Sequence, residues 1–358
     1  MINFNKIIFI FILISSCLFS QVVVNVEKHL DNVVVYKIFD DGENIWAAGY
    51  GSGVFRYSKK NRIWTEYNSS NSELKNDFIY CITANDNYVW AGSIDGLFIL
   101  DKKTNKWTSR KFSAGGQLGN WIRAVAYDKY ANVVWIGRFM NLTKYDLKTK
   151  KYTDYDLTIG GNEKSNTIPT IYVQDERYVW FGTEAGLHKY DKKKDLKNKK
   201  SIMFFNSKSN HFNGDGDLVS VTSMLFERNY VWIGVDEFIT QQKKNYNVGG
   251  LYQFDNKNNW RRFDKKNGFP ANGIYCIERT GNYLWVALYK FGIDTKELYG
   301  KGLVLINRLT YQVKTIDNEN LPSTINHMYY DGRKMWLCSD KGIFTIEIFN
   351  PIATWSKG

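Results

Sequence analysis

The sequence predicts an all-β chain: a single seven-bladed β-propeller of four-stranded antiparallel blades, with an N-terminal strand closing the last blade. Three observations predict it. Tryptophan recurs as Trp46, Trp90, Trp135, Trp180, Trp232, Trp285 and Trp336, spaced 44, 45, 45, 52, 53 and 51 residues apart, and a strand-rich period of about 40 to 50 residues is that of a propeller blade. Two residues after each tryptophan stands a small residue: Ala48, Gly92, Gly137, Gly182, Gly234, Ala287 and Cys338. The clearest unit, Y-V-W-F-G-T-E-A-G-L-H-K-Y-D from Tyr178 to Asp191, reads as two strands around a turn at Gly186.

Val22 to Val26 reads as a lone strand, followed by a loop to Asn32. Each unit then opens with a strand A: Val33 to Phe39, Ile79 to Thr83, Ile122 to Tyr127, Thr170 to Val173, Val219 to Phe226, Ile274 to Glu278 and Ile325 to Tyr330. Asp41, Asn85, Asp128, Asp175 and Asp331 are natural formers of the next turn. Strand B carries the repeated tryptophan. Residues i and i+2 share a strand face, so the indole lies beside a gap while Ala47, Ala91, Ile136, Phe181, Ile233, Val286 and Leu337 load the other face. Such a sheet is apolar on both sides, which suits a blade between two neighbours. Strand C follows the second glycine, and strand D carries Trp64, Trp107, Tyr152, Phe204 or Phe205, and Trp260. The last unit has no convincing strand D, so Val22–Val26 is expected to supply it and close the ring.

The chain of 358 residues is long enough for two domains, but units that cannot bury a core alone must stack into one body. Residues 1–20 read as an export signal, with Lys6, an apolar run from Ile7 to Ile14, and small residues before Gln21; 21–358 is the propeller. Two processing routes are written there: a lipobox-like Ile14-Ser15-Ser16-Cys17 that would lipidate Cys17, and an ordinary cleavage after Ser20. Either implies the periplasm, the cell surface or the medium. No later stretch approaches the roughly 20 apolar residues of a membrane helix. Cys81, Cys276 and Cys338 sit inside apolar strand runs and read as small buried residues. The net charge of +12 is scattered over turns such as Asp101–Lys106, whose lysines are expected to solvate hairpin tips; a nucleic-acid partner is not expected.

The units resemble the two-component regulator propeller repeat. Trp180-Phe181-Gly182-Thr183, Gly186-Leu187 and Tyr190-Asp191 match its W-x-G-T, G-L and aromatic-Asp pattern, and Trp90-Ala91-Gly92-Ser93 with Gly96-Leu97 follows closely. Ala48, Ala287, Cys338 and Asn141 depart from it. The resemblance covers the chain from about Val22 onward. It implies the fold and the ligand- or partner-binding role of an extracytoplasmic sensor-type propeller; a membrane sensor or a secretion complex is the partner considered.

Catalytic signatures are sparse. His29, His188, His211 and His327 show no metal-ligand spacing, and there is no serine elbow or phosphate-binding loop. No cofactor and no catalytic residue is expected. Asn213, Asp215 and Asp217 open like a calcium loop, but Leu218 and Met224 stand where glycine and glutamate belong. Asp236, Glu237, Asp294 and Glu297 are the carboxylates that could form a glycosidase-like pair. The repeat is stretched between strands B and C at Val235–Gly249 and Leu288–Lys301, and between D and A at Ser113–Asn120, Leu157–Thr167 and Asn206–Leu218. These connections emerge on one face, where function concentrates on loops held by a rigid scaffold; the Asp191–Lys200 turn belongs to the other. The expected site is therefore the channel mouth on that face, with Trp121, Arg123, Arg138, Phe139, Phe238, Tyr289, Lys290 and Phe291 holding a glycan, peptide or protein. A propeller enzyme, such as a polysaccharide or lactone lyase, and a structural component of an exported complex are the alternatives.

Overall fold

The computed structural model describes residues 26–255, 257–291 and 299–348; Met1–Ser20, Cys17, Asp294, Glu297 and Val22–Asn25 lie outside them. The described residues form seven four-stranded antiparallel sheets, with short 3₁₀ turns and no α-helix. The chain is a seven-bladed β-propeller. Strands A of the successive blades are Val35–Asp40, Ile79–Ala84, Ile122–Asp128, Thr170–Val173, Val221–Phe226, Gly273–Thr280 and Ile325–Tyr330. They meet one another around a central channel, the last meeting the first.

The packing between blades explains the repeated small residue. A Cβ added to Gly92 would lie 2.5 Å from Ile122 Cγ2 of the next blade; on Gly137 it would meet Ile168 at 2.7 Å, on Gly182 Val221 at 2.8 Å and on Gly234 Ile274 at 2.7 Å. A β-branched side chain from each blade thus fills the notch beside the preceding blade's indole. Ala48 with Ile79, Ala287 with Ile325 and Cys338 with Val35 share clusters in the same way. All seven β-branched residues are fully buried.

Six of the seven indole nitrogens are tied to the end of strand A or the turn after it, while that of Trp90 has no partner among the described residues. Trp46 Nε1 donates to Asp41 (2.6 Å), Trp135 to Asp128 (3.2 Å) and Trp336 to Asp331 (2.8 Å), while Gln174, Glu227 and Thr280 serve Trp180, Trp232 and Trp285. Basic residues from the following blade complete three of these sites. Lys102 reaches Asp41 at 2.6 Å, Lys192 reaches Asp128 at 2.7 Å and Arg308 reaches Glu227 at 2.6 Å. Lys102 is therefore an inter-blade tie and not, as its turn suggested, a solvating tip.

Ring closure uses a strand from the N-terminal side, as expected, and that strand includes residues beyond Val26. Val26–His29, mostly in the stretch read as loop, pairs with Gly342–Glu347, with Val26 opposite Ile346 and His29 opposite Ile343. An outermost strand needs few apolar anchors. Val26 packs on the last blade's core, His29 stacks on Trp336 at 5.7 Å, and Lys334 holds Glu27 at 2.7 Å.

The insertions in blades five and six also differ from the loops expected. Strand B of blade five runs through Val231–Phe238 and pairs with Asn247–Phe254, so much of Val235–Gly249 is a strand extension. Tyr283–Tyr289 and Gly300–Asn307 pair out to Tyr289 opposite Gly300. The two extensions rise as adjacent ribbons above one face.

Replacing Gly182 by Val should destabilise the fold by about 1–3 kcal/mol, the cost of overpacking, since its Cβ would meet Thr170 of the same blade at 2.4 Å and Val221 of the next at 2.8 Å; a second change, Val221→Ala, should restore only the share due to the neighbouring blade, and denaturant melts of the three proteins test the notch. Deleting residues up to Leu30 should lower the melting temperature sharply, and an unchanged melt would contradict the closure.

Candidate functional site at the channel mouth

Strand A opens with an irregularity repeated around the ring. After Val35, Ile79, Ile122, Val221, Ile274 and Ile325 the pairing with strand B slips by one residue, leaving Tyr36, Tyr80, Arg123, Thr222, Tyr275 and Asn326 as extra residues. In blade four Pro169, which has no N–H to pair, holds the corresponding place after Ile168. A β-bulge bends its strand and re-aims a side chain. All seven of these residues line one cavity of about 530 Å³ in the channel, together with Lys37, Trp121, Tyr172, His327 and others. That volume lies in the range of small-molecule sites, about 300–1,000 Å³.

Aromatic rings form two arcs at this mouth. Over blades one to three, Tyr36 stacks on Tyr80 (5.5 Å), Tyr80 meets Trp121 (5.6 Å), and Trp121 stacks on Phe139 at 5.2 Å and 11°. Tyr50 packs between Tyr36 and Phe78. Over blades five and six, Tyr275 stacks on Tyr289 (4.4 Å) and Phe238 meets Phe291 (4.5 Å). The ribbons are bonded together as well: the Glu237 N–H donates to the Tyr289 hydroxyl at 3.1 Å and the Phe291 N–H donates to Glu237 at 3.2 Å.

A charged cluster lies between the arcs. Arg123 and Lys164 both bind Glu184, at 3.2 and 3.1 Å, and the Arg123 guanidinium stands over Trp121 at 5.4 Å. The Asp236 carboxyl is pushed up to about 7, first by burial and then by Glu184 and Glu237, with Arg123 and Lys164 opposing.

The expected site residues divide. Trp121 and Arg123 line the cavity. Phe139 backs Trp121, while Phe238, Lys290 and Phe291 stand on the two ribbons with partial exposure. Tyr289 is buried as a brace. Arg138 does not belong to the mouth surface: it is fully buried, donating to the carbonyls of Ala114 and Gly119 at 2.9 Å each and pairing with Asp154 at 3.0 Å, so it pins the loop before blade three. Asp215 is occupied by the Tyr252 hydroxyl at 3.0 Å, and among the described residues no three His, Cys, Asp or Glu converge in the manner of a metal site; Asn213 and Asp217 thus gain no partner carboxylates. His188 Nε2 lies 2.8 Å from the Ser165 carbonyl inside the core. Tyr36, Tyr80, Thr222, Tyr275 and Asn326 escaped the sequence reading. Their signal is a buried Val or Ile followed at once by Tyr, Arg, Thr or Asn at the head of strand A.

No family model matches the chain, and no curated protein matches it in sequence. Solved structures do match in shape. The extracellular domain assigned to a hybrid two component system of B. thetaiotaomicron aligns with a TM-score of 0.68 at 20% identity over 91% of this chain, which spans only 40% of that domain. Virginiamycin B lyase from Staphylococcus aureus aligns with a TM-score of 0.66 at 11% identity, over 91% of this chain and 99% of its own. YCF48 bound to D1 peptide aligns with a TM-score of 0.61 at 13% identity, over 91% and 95%. At such identities the likeness is one of fold.

Asp236 gives a pH test. Its folded pKa is raised, so folding carries no penalty from it below the unfolded value of about 4; the penalty grows as pH rises from there to about 7 and is complete above. Asp236→Asn should therefore raise the melting temperature at pH 8, with the gain vanishing near pH 4. Carbon-detected NMR should place the Asp236 midpoint near 7.

Proposed function

We propose that the chain is an exported, non-catalytic ligand-binding propeller of the two-component regulator type, holding a glycan or peptide over the channel mouth. One observation carries this reading: six strand A bulge residues and Pro169 line one cavity together with Trp121, and one of them, Tyr275, stacks on Tyr289 of the tied ribbons. Tyr36, Tyr80 and Trp121 offer flat faces for stacking, while Arg123, Asn326 and Thr222 offer polar atoms to fix orientation. The signal-like residues 1–20, with cleavage after Ser20 or lipidation at Cys17, agree with an extracytoplasmic place, as does the likeness to the extracellular domain of a hybrid two component system. No helix among the described residues is long and apolar enough to cross a membrane.

A second reading, a lyase-type enzyme, is favoured by the Asp236 carboxyl poised near neutrality beside Glu184 and Arg123, a pattern of the kind that general acid–base sites use. It also has lyases among the similar folds.

A glycan and peptide array, followed by calorimetry on hits, separates the readings. Trp121→Ala and Phe238→Ala should weaken binding tenfold or more with small changes in melting temperature, whereas Trp180→Ala, a buried strand B indole, should cost about 3–5 kcal/mol of stability. Binding that ignores Trp121 and Phe238, or cleavage of the hit that Asp236→Asn abolishes, would count against the non-catalytic mouth.

A further inference from the structure

We propose that the ligand seated in this mouth is an acidic saccharide whose uronate carboxylate ends against Lys37. The inference rests on the ligand-binding reading above and adds the chemical class of the ligand.

Lys37 follows the bulge residue Tyr36 in strand A of blade one and lines the cavity. It makes no side-chain hydrogen bond or ion pair with any described residue. Arg123, the other cation on the wall, is neutralised by Glu184. No Asp or Glu is among the residues lining the cavity. The groups that act electrostatically on or beside the ammonium supply no counter-charge. Burial, and then the Lys37 charge, keep His327 neutral, down to about 3, and burial pushes the Cys81 thiol up to about 12. Burial lowers the Lys37 pKa, because an ammonium set in a channel without a counter-ion is costly, and a ligand oxyanion would favour the charged form through a charge-assisted hydrogen bond.

The surroundings favour a carboxylate on a hydroxylated ring. Four buried polar atoms of cavity-lining residues have no partner: Trp121 Nε1, Thr222 Oγ1, Ser223 Oγ and His327 Nδ1. Native interiors leave few such atoms. A single unpaired cation matches a monoanion better than a phosphate dianion, and the stacked faces of Tyr36, Tyr80 and Trp121 suit a pyranose ring.

The test titrates the full-length protein with trigalacturonate, with its methyl ester and with a neutral galactose trisaccharide, using wild type, Lys37→Met and Trp121→Ala. Wild type should bind the acid at least tenfold more tightly than the ester. Lys37→Met should erase that preference while its melting temperature stays at or above wild type, and Trp121→Ala should weaken acid and ester alike. Equal affinity for acid and ester in wild type, or an acid preference that survives Lys37→Met, overturns the inference and leaves the mouth reading standing. Tight binding of a peptide but no saccharide in the array likewise overturns it alone, and no binding of any array ligand overturns both.

Discussion

The fold depends on one contact repeated seven times, the insertion of a Val or Ile from each blade into the space beside the previous blade's tryptophan. Because Gly92, Gly137, Gly182 and Gly234 leave no room for a Cβ, the spacing between sheets is set by backbone against side chain and has little slack. Close packing of this kind tolerates neither added nor missing methyl groups without strain. In six of the seven blades the inserted residue is also the last one before the bulge. Having turned its β-branched side chain into the neighbouring blade, the strand takes one extra residue, and that residue lines the channel. Packing and site geometry are therefore consecutive positions of one strand.

Electrostatics follow the same ring logic on the opposite face. Asp41 illustrates the balance: burial raises its pKa, but hydrogen bonds from Lys102, Trp46 and the Asn44 backbone outweigh this and leave it below the usual carboxylate range. Part of the positive charge that the composition displays is thus spent between blades.

The blade count and strand order were legible because Trp-x-small is a packing rule that acts within one strand, and a linear pattern records it directly. The bulge ring was not legible, since an extra residue in strand A is defined only by its pairing with strand B. Arg138 misled for a related reason. It lies at the strand B end that faces the mouth, and only the approach of the Ala114 and Gly119 carbonyls turns it inward. Phe238 and Phe291 were found by counting inserted residues, but the count could not distinguish a free loop from the ribbon that Glu237, Val248 and Tyr289 build. Val26–His29 lacked the apolar alternation of the other strands because an outer edge asks for so little.

The closing strand has a kinetic meaning. Val26 pairs with Ile346, a separation of 346 − 26 = 320 residues, whereas the other strands pair within their own blade. Contacts so distant along the chain form slowly, since the loop entropy must be overcome first. Blades one to six can assemble in the order in which the chain emerges, while the segment around Val26 waits unpaired for the seventh. A strand made before the first blade would then complete the ring last, and until that moment the outer edge of blade seven is open to any other extended chain.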